Sequence, residues 1–142
     1  MATGLTAMKP YFRARLNALG LREWTDGFNF ENIPANILDK SYHLEFPSGA
    51  RVDAYDMTSN DITHDIVARV FFKGFRNPSQ AIDAALLKYE QILESVLASE
   101  NRVGVAIKNI YLDSCQIRAL SDSNDNAVIL EITFSCLIII CI

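Results

Sequence analysis

The last sixteen residues of the chain, Ala127 to Ile142, hold thirteen apolar residues and a single charge, Glu131. No other part of the sequence constrains the fold as strongly. Val128, Leu130, Ile132, Phe134, Cys136, Ile138 and Ile140 fall on alternate positions. Glu131, Thr133 and Ser135 lie between them, and Leu137, Ile139 and Cys141 continue that second row as apolar residues. Alternation with a period of two predicts a β-strand with one buried face. The strand is much longer than the usual length of about five or six residues. Its apolar end, Leu137–Ile142, falls short of the roughly 20 apolar residues that cross a bilayer, so a membrane anchor is not expected. The whole chain is 50% hydrophobic over 142 residues. Without these sixteen, 58 of 126 residues are apolar, an ordinary share for one globular domain. The length predicts a single domain over 1–142, with a core large enough to need no staple.

The charge balance narrows the function classes. The net charge is −4, and the halves differ: residues 1–77 carry nine basic and nine acidic residues, residues 78–142 four and eight. No basic face dominates, which argues against sequence-independent nucleic-acid binding as the main task. The three cysteines, Cys115, Cys136 and Cys141, lack C-x-x-C or Cys/His spacing, so neither a disulfide framework nor a zinc site is expected. If Cys115 and Cys136 lie on neighbouring strands, they read as small core hydrophobes. Lys9, Arg13 and Arg15 interrupt the first apolar positions, which does not fit a signal peptide.

Residues 4–19 predict an amphipathic helix, with Leu5, Met8, Phe12, Leu16 and Leu19 on one face. Gly20 is its stop, and Arg13, Arg15 and Asn17 are expected to face water. Pro10 argues for a kink, or for a start near Lys9. Residues 20–40 form a long loop with possible short strands. Trp24, Phe28 and Phe30 there either plug the domain's own core or meet a partner. Residues 41–46 alternate as a strand: Tyr42, Leu44 and Phe46 face one way, His43 and Glu45 the other. A second loop at 47–61 carries Arg51, Asp53, Asp56 and Asp61.

Residues 62–73 form the next strand. Ile62, Ile66, Ala68, Val70 and Phe72 face the core, while Asp65, Arg69 and Lys73 share the other face with Val67 and Phe71. Asp65 and Arg69 read as a surface or interface charge pair. Asn77 and Pro78 open a helix over 78–98. Its apolar stripe is Ile82, Ala85, Leu86, Tyr89, Ile92, Leu93, Val96 and Leu97. A third strand spans 103–119, with a phase slip that implies a bulge near Lys108-Asn109. The order α-β-β-α-β-β predicts an α+β two-layer sandwich: one antiparallel sheet with two helices on one face.

No phosphate-binding glycine loop, dinucleotide fingerprint or nucleophile elbow occurs. Asp53, Asp61, His64 and Asp65 can be read as a polar ligand or metal site, with Asp56 nearby. The spacing lacks the glycine placement of a calcium loop, and no cofactor is expected. Nothing sets a nucleophile beside a base, so the chain does not read as an enzyme.

The apolar end of the last strand must be covered, or it is an aggregation hazard. Either the chain's own loop over 20–40 covers it or a neighbouring subunit does; the second reading is preferred and makes this an assembly protein. The first helix, the segment Asn32-Ile-Pro-Ala-Asn-Ile-Leu-Asp-Lys-Ser-Tyr-His-Leu-Glu-Phe46, the second helix and the closing strands resemble the tail terminator (tail completion) proteins of tailed bacteriophages. The likeness is one of size and element order over nearly the whole chain. The resemblance implies a homo-oligomeric ring, read as a hexamer, within the virion. Such a ring caps the tail tube protein, ends tube growth, meets the head–tail connector and lets DNA pass through its lumen. Mild acidity suits such a lumen, because it repels phosphate. The candidate subunit or tube contacts are Trp24, Phe28, Phe30, Arg51, Asp65, Arg69, Lys73, Leu137 and Ile139. A head-completion or neck protein of the connector is the alternative within virion assembly, and a small ligand-binding or metal-dependent enzyme is the alternative outside it.

Overall fold

The computed structural model describes residues 4–24, 39–46, 53–54, 61–74, 78–120 and 126–139. The elements are helix α1 (Gly4–Ala18), strands β1 (Arg22–Glu23), β2 (Ser41–Glu45), β3 (Asp53–Ala54) and β4 (Asp61–Gly74), helix α2 (Pro78–Leu97), a 3-10 turn (Ser99–Arg102), and strands β5 (Ile107–Leu120) and β6 (Asn126–Ile139). The strands form one sheet in the order β1-β2-β4-β6-β5, with β3 beside β4. The class is α+β, as the element order predicts. The sheet is not wholly antiparallel, because β1 runs parallel to β2 through two residue pairs. Parallel pairing follows from the crossover: Arg22 and Ser41 are separated by a long connection rather than a tight turn.

The apolar terminal strand lies inside the sheet. β6 pairs with β4 along fourteen residues, from Asp61↔Ile139 to Gly74↔Asn126, and with β5 on its other side. Val128, Leu130, Ile132, Phe134, Cys136 and Ile138 are each at most 2% exposed. They pack with Met8, Phe12 and Leu16 of α1, Ala85, Ile92 and Val96 of α2, and Ile66, Ala68, Val70 and Phe72 of β4. Phe12 and Phe134 meet with ring centroids 5.2 Å apart. Both helices therefore bury their apolar faces on the same side of the sheet. Of the apolar end Leu137–Ile142, for which the loop over 20–40 or a neighbouring subunit was expected as cover, Ile138 is buried under the chain's own helices and Leu137 is half-buried on the other face. Residues 140–142 lie outside the described residues.

α1 starts at Gly4, five residues before Lys9, and Pro10 sits within it. Pro10 is exposed, so its ring and missing N–H fall on the solvent side. The helix ends as expected at Gly20, whose φ is +81°. Gly20 N–H donates to the Asn17 carbonyl (3.1 Å) and Leu21 N–H to the Leu16 carbonyl (3.3 Å), the two bonds of a Schellman cap. Of the three side chains expected in water, Asn17 is exposed and Arg13 and Arg15 are half-buried, and each also has a partner. Arg13 grips Glu23 with two nitrogens, Arg15 lies over the Tyr11 ring, and Asn17 Oδ1 accepts from the Tyr42 hydroxyl at 2.7 Å.

α2 begins at Pro78, and Asn77 lies outside the described residues. Its buried line is Ala81, Ala85, Ile92 and Val96, while Ile82 and Leu86 are 37% and 50% exposed. Two small alanines let the helix approach the sheet closely, which turns the larger neighbouring residues outward. β5 starts at Ile107, so Val103 and Val105 precede it rather than belong to it. The register shifts between Ile107 and Asn109, as the phase slip predicts, and again between Leu112 and Ser114. Asn109 Oδ1 accepts from Ile110 N–H (2.9 Å) and from Arg102 Nη1 (3.0 Å), which clamps the first bulge.

Candidate functional site

The sheet face away from the helices carries the polar chemistry. The odd-numbered residues of β2, β4 and β6 point there by strand alternation. His43, Arg69, Glu131 and Gln116 lie in one row across four strands. Arg69 pairs with Glu45 of β2 and, through Nε, with Glu131 Oε2 of β6 at 3.1 Å. Arg118 Nη2 of β5 reaches the same Glu131 oxygen at 3.1 Å. Glu45, Arg69, Glu131 and Arg118 thus form an alternating ladder that joins β2, β4, β6 and β5. Val67, Phe71 and Ile129 are buried on this same face, between the charges.

The sequence reading pairs Arg69 with Asp65, and the structure corrects this. Asp65 and Arg69 are four residues apart on one strand, about 13 Å at the usual strand rise, whereas Glu131 is directly opposite Arg69. Two carboxylates and two guanidinium groups leave the ladder near neutral. It holds the strands together, with each partly exposed pair contributing up to about 1 kcal/mol.

The candidate contact residues are spread out. Asp65, Arg69 and Leu137 share the ladder face and are half-buried. Trp24 extends β1: its N–H donates to the Tyr42 carbonyl (2.7 Å), and its carbonyl faces His43 Nδ1 at 3.0 Å. Trp24 Nε1 is buried with no hydrogen-bond partner. Lys73 and Ile139 are placed by backbone register only, opposite Ala127 and Asp61. Phe28, Phe30 and Arg51 lie outside the described residues.

Of the alternative polar site, the described side chains His64 and Asp65 do not converge. His64 and Asp65 are consecutive in β4, so their side chains point to opposite faces of the sheet. His64 stands edge-on to Phe46, with centroids 5.6 Å apart, and its Nδ1 lies 3.0 Å from the Asp65 carbonyl oxygen. Asp53 and Asp61 are strand residues opposite Thr63 and Ile139, and Asp56 lies outside the described residues. Among the described residues, no group of three or more His, Cys, Asp or Glu side chains is placed to hold a metal ion. Nor is any of their helices long and apolar enough to cross a membrane.

Buried acids and thiols mark the core rather than a reactive centre. Burial, reinforced by the Glu23 carboxylate, pushes the Tyr42 hydroxyl up to about 12. Burial, reinforced by Asp65, pushes the Cys136 thiol up to about 12. A thiol held neutral in this way is a poor nucleophile. Cys115 and Cys136 lie on adjacent strands but oppose Ile132 and Ile110, so they do not meet.

The partners of Arg69 escape a reading of the sequence. Glu45, Glu131 and Arg118 each sit at a non-core strand position, but only strand order and register bring them together. No model of a known protein family matches the chain, and no curated protein sequence matches it significantly.

Proposed function

We propose that the chain is a structural subunit of a tailed-phage virion, a tail terminator that assembles into a ring, read as a hexamer, on the head-proximal end of the tail tube. The observation that carries this reading is the architecture. A helix and a hairpin, followed by a second helix and hairpin, close into one sheet with both helices on a single face. That is the element order on which the resemblance rests. The polar groups support the same reading. They lock strands to one another, as in the Glu45–Arg69–Glu131–Arg118 ladder.

In this role the ring ends tube elongation, presents a docking surface to the head–tail connector and leaves a lumen through which DNA moves without being held. The test has two arms. The mass of the purified protein is measured in solution, and its binding to assembled tail-tube protein is measured by co-sedimentation and imaging. A ring on tube ends, with tails of uncontrolled length when the protein is withheld, is the expected result. A stable monomer that neither assembles nor binds tube protein overturns the proposal. Localisation in the intact particle to the connector rather than the tube end replaces it with the head-completion reading.

A further inference from the structure

Two unlike patches of the described surface are left with unpaired groups. The first is a cationic corner where α1 meets the end of α2. Tyr11 donates its hydroxyl to the Val96 carbonyl at 2.7 Å and anchors this corner. Arg15 places its guanidinium carbon 6.0 Å from the Tyr11 ring centroid. Arg102 gives Nη1 to the Lys108 carbonyl (3.3 Å) and to Asn109 Oδ1 (3.0 Å), both uncharged acceptors. The Nε atoms of both arginines are buried without a partner, and neither forms an ion pair among the described residues. Half-buried guanidinium groups normally find a carboxylate. Val103, beside Arg102, is 82% exposed, the most exposed large hydrophobic residue described.

The second patch lies on the first half of α2. Ile82, Leu86 and Leu87 are 37%, 50% and 57% exposed. Residues four apart on a helix are neighbours, so Ile82, Leu86 and Glu90 follow one line, and Asp83 and Leu87 the next. Asp83 and Glu90 are exposed and form no ion pair among the described residues. The patch is therefore an apolar stripe with an acidic rim.

Each patch offers what the other lacks. Within one molecule they do not pair: among the described residues no ion pair joins Asp83 or Glu90 to Arg15 or Arg102, and Asp83 and Arg102 stand nineteen residues apart, most of them along a rigid helix that rises about 1.5 Å per residue. We propose that a second copy of this chain supplies the contact: the Arg15/Arg102/Val103 corner of one copy seats on the Ile82/Leu86/Leu87 stripe of the next, with Asp83 and Glu90 facing the two arginines. Charge complementarity selects the partner. Residues 78–142 carry eight acidic and four basic residues, and the stripe exposes two of those acids beside bare hydrophobic surface. A contact between unlike patches propagates from copy to copy and closes as a ring when the rotation permits. The inference rests on the reading of the chain as an assembling subunit.

The test uses two charge-reversed full-length chains. Arg15→Glu with Arg102→Glu makes both patches of a copy acidic, and Asp83→Lys with Glu90→Lys makes both basic. Each variant alone is expected to assemble roughly tenfold more weakly than wild type, or not at all, by light scattering across a concentration series. Mixed in equal amounts, every corner again meets an opposite stripe, and assembly is expected to return. Circular dichroism and a cooperative melt verify that each variant folds. Wild-type-like assembly by either folded variant alone, or failure of the folded pair to assemble when mixed, overturns this contact and leaves the ring reading intact. Wild-type protein that stays monomeric at every concentration overturns the contact as well, and binding to tube ends then decides whether the ring reading falls with it.

Discussion

Gly20 is the residue whose identity the backbone dictates most directly. Its φ of +81° lies where a side chain clashes with its own peptide unit, yet a Cβ built there meets nothing within 4 Å. Substitution is thus penalised by conformation alone. Gly20→Ala is expected to cost about 1 kcal/mol, and Gly20→Asn less, since Asn tolerates this region. Urea midpoints at unchanged m-value measure both, and an alanine variant as stable as wild type refutes the assignment. A second residue-scale prediction concerns alkali. The hydroxyl of Tyr42 and the thiol of Cys136 are both held neutral, with folded values of about 12 against ordinary values of 10.0 and 9.0. A raised value stabilises the fold fully below the unfolded value and loses that contribution as pH climbs to the folded one. Stability should therefore hold to about pH 9 and fall between 9 and 12, by on the order of 1 kcal/mol per group for each unit of its own window. Denaturation at pH 8, 9.5 and 11 measures the decline, and Tyr42→Phe is expected to flatten its upper part.

Individual elements were legible in the sequence where a single face decides them. The alternation of β6, the stripe Met8–Phe12–Leu16 and the bulge at Lys108 all follow from the chain's own periodicity. What periodicity cannot convey is which strands become neighbours. The parallel β1–β2 pair, the placing of β6 between β4 and β5, and the partners of Arg69 all depend on long-range pairing. For the same reason Ile82 and Leu86 read as core: the helix wheel gives an apolar side, and only the sheet's shape decides how far round it is covered. Two predictions belong to this scale. Phe134→Ala, at a position 0% exposed and stacked on Phe12, is expected to cost about 3–5 kcal/mol by cavity formation. A double-mutant cycle with Arg69→Met and Glu131→Gln should return a coupling of roughly 0.5–1 kcal/mol, and no coupling would mean that the ladder is ornamental.

At the scale of the whole molecule, stability should be graded across the sheet. β4 and β6 are long, paired with each other over fourteen residues and packed under both helices, whereas β1 and β3 contribute two residues each. Hydrogen exchange is therefore expected to be slowest at Ile66–Val70 and Leu130–Phe134 and fastest in β1 and β3. Equal protection throughout would contradict this. The position of β6 also bears on how the protein is made. β4 and β5 are not neighbours in the sheet; they are joined through β6, which follows both along the chain. A ribosome synthesises β4, α2 and β5 before the strand that unites them exists. Until β6 emerges, the inner edge of β4 and the whole of β5 lack their strand partner. Folding of this domain is thus gated by translation of its most apolar segment. Slow codons or a stop placed just before Asn126 would leave the growing chain exposed to chaperones and proteases.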